Sequence, residues 1–120
     1  MSAHWGLDLG GTKIEGVVLE AGEAEPLCRI RVATEAEKGY RHIVDQMHWL
    51  VERMKAQTGL EPAAVGIGTP GVLDPQTQTL KNSNTLCLNG QPLKADLEKS
   101  LGIPVELAND ANCFALAEAR

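Results

Sequence analysis

His4-Trp5-Gly6-Leu7-Asp8-Leu9-Gly10-Gly11-Thr12-Lys13-Ile14-Glu15-Gly16-Val17-Val18-Leu19-Glu20 is the stretch on which the choice of fold rests. Residues 4–9 have the composition of a short buried strand. Gly10-Gly11-Thr12 reads as a turn, in which paired glycines would supply the positive φ that a tight hairpin asks for. From Lys13 to Glu20 the chain alternates, with Ile14, Gly16 and Val18 on one face and Glu15, Val17 and Leu19 on the other, so a second strand follows. Residues 21–25 form the next turn. Residues 27–33 form a third strand, with Leu27, Arg29, Arg31 and Ala33 on one face and Cys28, Ile30 and Val32 on the other. Three strands joined by short turns make an antiparallel meander.

Beyond the meander the pattern changes period. Ile43, Met47, Leu50 and Met54 recur at i, i+4, i+7 and i+11, widened by Val44 and Val51, which predicts an amphipathic helix over about residues 40–57 that ends at Gly59. A buried run after Pro62, Ala63-Ala64-Val65-Gly66-Ile67, predicts a fourth strand. Residues 68–92 are rich in Pro, Gly and Asn and read as loop. A second helix is expected over about residues 93–101 with a stop at Gly102, then a fifth strand over 104–108 and a final helix opening at Asn109-Asp110. The predicted order is βββαβαβα, an α/β fold with a mixed five-stranded sheet. Residues 111–120 are still helical in pattern at the last position, so the chain is expected to be a portion of a longer protein.

The first turn carries a recognisable chemistry. Without side chains at Gly10 and Gly11, backbone N–H groups can approach phosphate oxygens closely. Thr12 adds a hydroxyl and Lys13 a cation. A carboxylate beside a polyphosphate repels it unless it holds Mg²⁺, so Asp8 next to a donor-rich turn fits a magnesium–nucleotide site. A tight hairpin with an exposed Asp8 accounts for the same residues without function. The P-loop pattern is excluded, because a strand rather than a helix follows the glycines. Gly66-Ile67-Gly68-Thr69-Pro70-Gly71 matches the dinucleotide-binding glycine spacing, but Val72-Leu73-Asp74-Pro75 makes a turn where that motif needs a helix.

Two further segments concentrate polar groups. Lys81-Asn82-Ser83-Asn84-Thr85 offers amides and hydroxyls that can donate and accept to a sugar at once, though turns favour the same residues. Ala108-Asn109-Asp110-Ala111-Asn112-Cys113-Phe114-Ala115-Leu116-Ala117-Glu118 places Asp110 where a strand passes into a helix. Such strand ends gather ligands in α/β folds, and Asp is also a good helix N-cap.

These segments together resemble the sugar kinases of the ROK family, within the hexokinase–actin superfamily. Asp8-Leu9-Gly10-Gly11-Thr12-Lys13 is similar to the family's first phosphate motif, Gly68-Thr69-Pro70-Gly71 to its sugar-facing loop, and the segment around Asp110 to the motif whose Asp is the general base. The order of elements resembles the ribonuclease-H-like half of the actin fold. The resemblance implies an N-terminal lobe over residues 1–120. It assigns Asp8, Gly10, Gly11, Thr12 and Lys13 to the phosphates and magnesium of Mg–ATP, Gly71, Asn84, Asn109 and Asp110 to the sugar, and proton abstraction to Asp110. The loop from Asn82 to Leu93 is similar to the fructokinase branch, so fructose is the first expectation, with glucose, mannose or an N-acetylated hexosamine open. The resemblance also implies a second lobe carrying the adenosine contacts and a zinc site, so the 120 residues alone are expected to bind no zinc and to be inactive. It implies a homodimeric parent.

Composition agrees with this reading. The chain has 120 residues, 43% hydrophobic and 22% charged, with aromatics at 3%, which bounds it to one domain with an aliphatic core. Net charge is −5 and the densest basic stretch is Arg29 to Arg31, so no nucleic-acid face and no membrane-surface binding is expected. Neither a secretory leader nor a membrane span is evident. Cys28, Cys87 and Cys113 are widely spaced and read as reduced thiols of a cytoplasmic protein. The family also contains sugar-responsive transcriptional repressors, with a helix-turn-helix domain ahead of this region. The first strand starts too close to Met1 for one here, which makes a regulator, or a sugar-binding scaffold without catalysis, the alternative reading.

Overall fold

Seven strands, two α-helices and two short 3₁₀ turns make up a computed structural model that describes residues 3–20, 25–69, 72–81, 83 and 85–109. The meander forms as the alternation predicts: β1 (Ala3–Leu9), β2 (Lys13–Glu20) and β3 (Cys28–Ala33) are paired antiparallel in sequence. β4 (Val65–Thr69) and β7 (Val105–Asn109) add in parallel beyond β1. The sheet order is β3-β2-β1-β4-β7. Residues 21–24 of the turn expected over 21–25, and residues 110–120 of the final helix expected to open at Asn109-Asp110, lie outside the described residues.

α1 (Tyr40–Thr58) and α2 (Leu93–Leu101) are the two crossover helices. The predicted stripe is the buried one: Ile43, Val44, Met47, Leu50, Val51 and Met54 are all shielded from solvent. Both helices stop as expected on a glycine in the left-handed conformation, Gly59 at φ 70 and Gly102 at φ 74, where a side chain would be strained. α1 lies very close to the sheet. A Cβ added at Gly16 of β2 would stand 2.7 Å from Met54 Sδ and 2.9 Å from Leu7 Cδ2, so the glycine admits the helix to this distance. Leu7, Leu9, Ile14, Val18 and Ile67 complete the aliphatic core beneath it.

Two polar links join the helices to each other. Tyr40 Oη donates to Asp96 Oδ2 at 2.5 Å, and Ser100 Oγ and His48 Nδ1 are 2.9 Å apart. Burial, with Asp96 adding to it, pushes the Tyr40 hydroxyl well above the usual tyrosine range. The start of β7 is tied to α2 where Val105 N–H donates to Glu98 Oε2 at 3.0 Å.

The loop-rich expectation for residues 68–92 is corrected in part. β5 (Val72–Leu73) and β6 (Leu80–Lys81) form a two-stranded ribbon. Asp74 closes it, its carboxylate accepting from Gln76 N–H and its carbonyl from Gln78 N–H, both at 2.8 Å. Strands of two residues are too short to show a period. β4 also begins later than expected, at Val65, because its neighbours set its start: Trp5 of β1 and Val105 of β7 both pair with Val65.

On β2, Glu15 stands directly across from Asp8, and like charges in that position repel. Arg31 Nε and Arg29 Nη1 of β3 reach Glu15 Oε2 at 2.9 and 3.3 Å. The Arg31 hydrogen bond is the largest influence on Glu15; with Arg29 it outweighs partial burial and holds the carboxyl below the usual glutamate value. A carboxyl depressed in this way stabilises the fold above its unfolded pKa and loses that contribution as pH falls through the folded value. Because Arg31 is largely solvent-exposed, screening keeps the effect small. We predict that Arg31→Ala lowers unfolding free energy at pH 7 by about 0.5 kcal/mol. In urea titrations the gap should narrow once pH drops below roughly 4.3, the unperturbed glutamate value.

Candidate functional site

Because β1, β4 and β7 are parallel, their C-terminal ends share one edge of the sheet. The register makes this quantitative in residues: Asp8 pairs with Gly68 and Gly68 with Ala108, while Thr69 pairs with Asn109. With neighbouring strands ~4.8 Å apart, the end of β1 and the end of β7 are separated by roughly 10 Å. The hairpin tip leaves β1 at that edge. Asn109 closes β7 there, one residue before Asp110. Asp110, Gly71 and Asn84 lie outside the described residues.

Asp8 and the hairpin border a cavity of about 700 Å³. Asp8, Gly10, Gly11 and Thr12 form one wall, Ala36 and Glu37 a second, and Thr85, Leu86 and Cys87 a third. Four of the five residues expected at the phosphates are therefore together. Lys13, the fifth, is the exposed first residue of β2 and does not line the cavity. Asp8 is half-buried. Among the described residues no cluster of three or more His, Cys, Asp or Glu side chains could hold a metal by itself, so a cation at Asp8 would need other donors, as a water-shelled magnesium has.

The tip does not use glycine in the way the sequence suggests. Neither Gly10 nor Gly11 has positive φ. What excludes a side chain at Gly10 is proximity: an added Cβ would stand 3.0 Å from the Lys13 carbonyl oxygen, which also accepts the Gly10 N–H at 3.0 Å. At Gly11 a Cβ would lie 3.4 Å from Thr85 Oγ1, an ordinary contact across the cavity mouth.

Behind the tip stands Thr34, which the sequence reading did not single out. It follows β3, is fully buried, and makes two bonds to the hairpin. Its N–H donates to the Thr12 carbonyl at 2.9 Å and its Oγ1 to the Gly10 carbonyl at 2.7 Å. A hydroxyl residue directly after an edge strand whose register sets it opposite the tip is the only signal the sequence offers. The third wall is similarly fixed from within. Ser83 is almost fully buried. Its N–H donates to Asn89 Oδ1 at 2.8 Å, its carbonyl accepts from Asn89 Nδ2 at 3.1 Å, and its hydroxyl accepts from Thr85 N–H at 3.1 Å. Asn89 thus fixes the backbone at Ser83, within the segment expected to meet sugar hydroxyls.

The ends of three parallel strands and a glycine hairpin over a cavity, on a β3-β2-β1-β4-β7 sheet, define the ribonuclease-H-like half of the actin-like ATPase fold. The ROK family model matches residues 4–120, and the chain belongs to the ROK family. It is 43% identical over 117 residues to the N-acetyl-D-glucosamine kinase of Vibrio cholerae, a match that covers 97% of this chain and 37% of that protein. The chain therefore spans little more than a third of that relative's length. Among solved structures, the ROK hexokinase of Thermus thermophilus is 34% identical with a TM-score of 0.76, covering 92% of this chain and 36% of that one. The ROK glucokinase of Streptomyces griseus, solved with glucose and AMPPNP, is 33% identical with a TM-score of 0.80, covering 95% and 35%.

The two tip glycines should respond differently to alanine. Gly10→Ala brings a Cβ to 3.0 Å from the Lys13 carbonyl oxygen, a backbone atom that must shift to admit it, and should cost about 1–2 kcal/mol. Gly11→Ala meets no strain and restricts the unfolded chain, so it should stay within about 0.5 kcal/mol of wild type. Denaturant midpoints of the two variants check this.

Proposed function

We propose that this chain is the N-terminal lobe of a sugar kinase that moves the γ-phosphoryl group of ATP to a hexose hydroxyl. The observation that carries the reading is the shared sheet edge: the hairpin cavity borders the end of β1, and β7 ends at Asn109 on the same edge. Membership of the ROK family and the kinase names of the relatives support it.

In this reading the amides of the Gly10–Gly11 turn and the Thr12 hydroxyl bind the phosphates, with Lys13 contributing charge from the flank. Asp8 would hold magnesium through its water shell. When bound, that ion neutralises charge on the phosphate oxygens. Gly71, Asn84 and Asn109 hold sugar hydroxyls. Asp110 accepts the proton of the attacking hydroxyl as its oxygen bonds to the γ-phosphorus and the bond from that phosphorus to the ADP oxygen breaks. A positioned base of this kind accounts for roughly 10²–10⁴ in rate; positioning and charge stabilisation supply the remainder. The second lobe supplies the adenosine contacts and closes the site to water. We further propose a cytoplasmic, homodimeric parent.

The sugar is a hexose or an N-acetylated hexosamine. The resemblance of the Asn82-to-Leu93 loop to the fructokinase branch suggests fructose, whereas the relatives are named for N-acetyl-D-glucosamine and glucose. Coupled ADP-release assays of the full-length kinase with fructose, glucose, mannose and N-acetyl-D-glucosamine rank them; no turnover with any of the four would remove the kinase reading.

Two variants of the full-length kinase test the roles. Asp110→Asn should lower kcat by about 10²-fold or more and leave sugar affinity within a few-fold; a kcat within about tenfold of wild type would take the base role from Asp110. Gly11→Val places a branched side chain at the cavity mouth beside Thr85 and should weaken Mg–ADP binding by roughly tenfold or more, read by calorimetric titration. Unchanged affinity would count against the hairpin as the phosphate site.

A further inference from the structure

We infer that Thr34 is a positioning residue for the nucleotide phosphates, holding the backbone of the hairpin tip so that its amides face the cavity; this rests on the kinase reading above.

A buried threonine hydroxyl needs a hydrogen-bond partner, and any single carbonyl would satisfy it. Thr34 does more than that. Its two donors engage the carbonyls of Gly10 and Thr12, the residues on either side of Gly11, at 2.7 and 2.9 Å. All peptide bonds among the described residues are trans, and in a trans peptide the carbonyl and the following N–H point in opposite directions. Holding the Gly10 carbonyl toward Thr34 therefore turns the Gly11 N–H away from Thr34. Holding the Thr12 carbonyl does the same to the Lys13 N–H. Gly10, Gly11 and Thr12 line the cavity and Thr34 does not, so Thr34 anchors the tip from outside the cavity.

The tip needs such an anchor because of its composition. The peptide between Gly10 and Gly11 has no Cβ on either side, so rotation of its plane meets little steric resistance. The rotated peptide presents a carbonyl oxygen to the phosphates in place of an N–H. The Thr34 hydroxyl bond is the interaction that selects one orientation. Without it only a fraction of molecules has the binding orientation, and apparent affinity for nucleotide falls by that fraction. Sugar binding does not depend on this peptide and is unaffected.

The test compares Thr34→Val, which keeps the branched shape and the backbone N–H but loses the hydroxyl, with Thr34→Ala and Thr34→Ser in the full-length kinase. Circular dichroism and melting temperature establish folding. Calorimetric titrations with Mg–ADP, and separately with the best sugar from the assay panel, give the two affinities. We expect Thr34→Val and Thr34→Ala to bind Mg–ADP about tenfold or more weakly with sugar Kd within about twofold. Thr34→Ser should recover Mg–ADP affinity to within about threefold, since it restores the donor. Wild-type Mg–ADP affinity in folded Thr34→Val would overturn the inference, as would parallel loss of both affinities. Failure of both hydroxyl-less variants to fold would make Thr34 a stability residue only and would equally overturn it. Wild-type protein that neither binds Mg–ADP nor turns over any sugar would instead sink the underlying kinase reading.

Discussion

Parallel pairing of β1 with β4 and of β4 with β7 is the constraint from which the site follows. Once Trp5 pairs with Val65 and Val65 with Val105, the three strand ends must finish at one edge. The hairpin, the glycine-containing segment after β4 and the chain after β7 then all leave the sheet in the same place. Each of these segments is unremarkable in isolation. Their convergence is a property of register, and a slip of one residue in either pairing would move every side chain of the shifted strand to the opposite face.

The chain is acidic, with a net charge of −5, yet the function proposed for its cavity is to hold an anion. Lys13 stands outside the lining, and Asp8 and Glu37 contribute carboxylates to it. If nucleotide phosphates bind here as proposed, their attraction would come from backbone dipoles at close range and from a divalent cation, more than from side-chain cations. The pairing of Glu15 with Arg29 and Arg31 fits this arrangement: the carboxylate across from Asp8 is already neutralised, which limits the repulsion that Asp8 experiences.

Much of this was legible in the sequence, for reasons that can be named. β1 reads as a short buried strand before a glycine turn, β3 alternates cleanly, α1 carries an uninterrupted apolar stripe, and α2 ends on the expected glycine. The β5–β6 ribbon was not legible because two residues carry no period. The boundaries of β4 depend on its partners' register, which no local pattern reports. At Gly10 and Gly11 the sequence announces a need for glycine but not its reason. Positive φ and close approach predict the same residue, and only the distance to the Lys13 carbonyl separates them. Thr34 was invisible because its meaning depends on sitting opposite Thr12, across a pairing between β2 and β3. For the candidate site, the hairpin was readable as a motif, while the distance from it to the end of β7 was not.

The long reach of the β1–β4 pairing also shapes how the chain is made. The meander and α1 use neighbours in sequence and can organise as soon as they are synthesised. β1, the middle strand of the sheet, must wait for Val65 and its successors before its second edge is covered. Non-local parallel pairing of this kind is slow, because loop closure precedes its reward. During that interval the nascent chain displays the open edge of an apolar strand, the feature by which strands recruit one another. The same register that assembles the site thus defines the interval in which a newly made chain is most open to pairing with its neighbours.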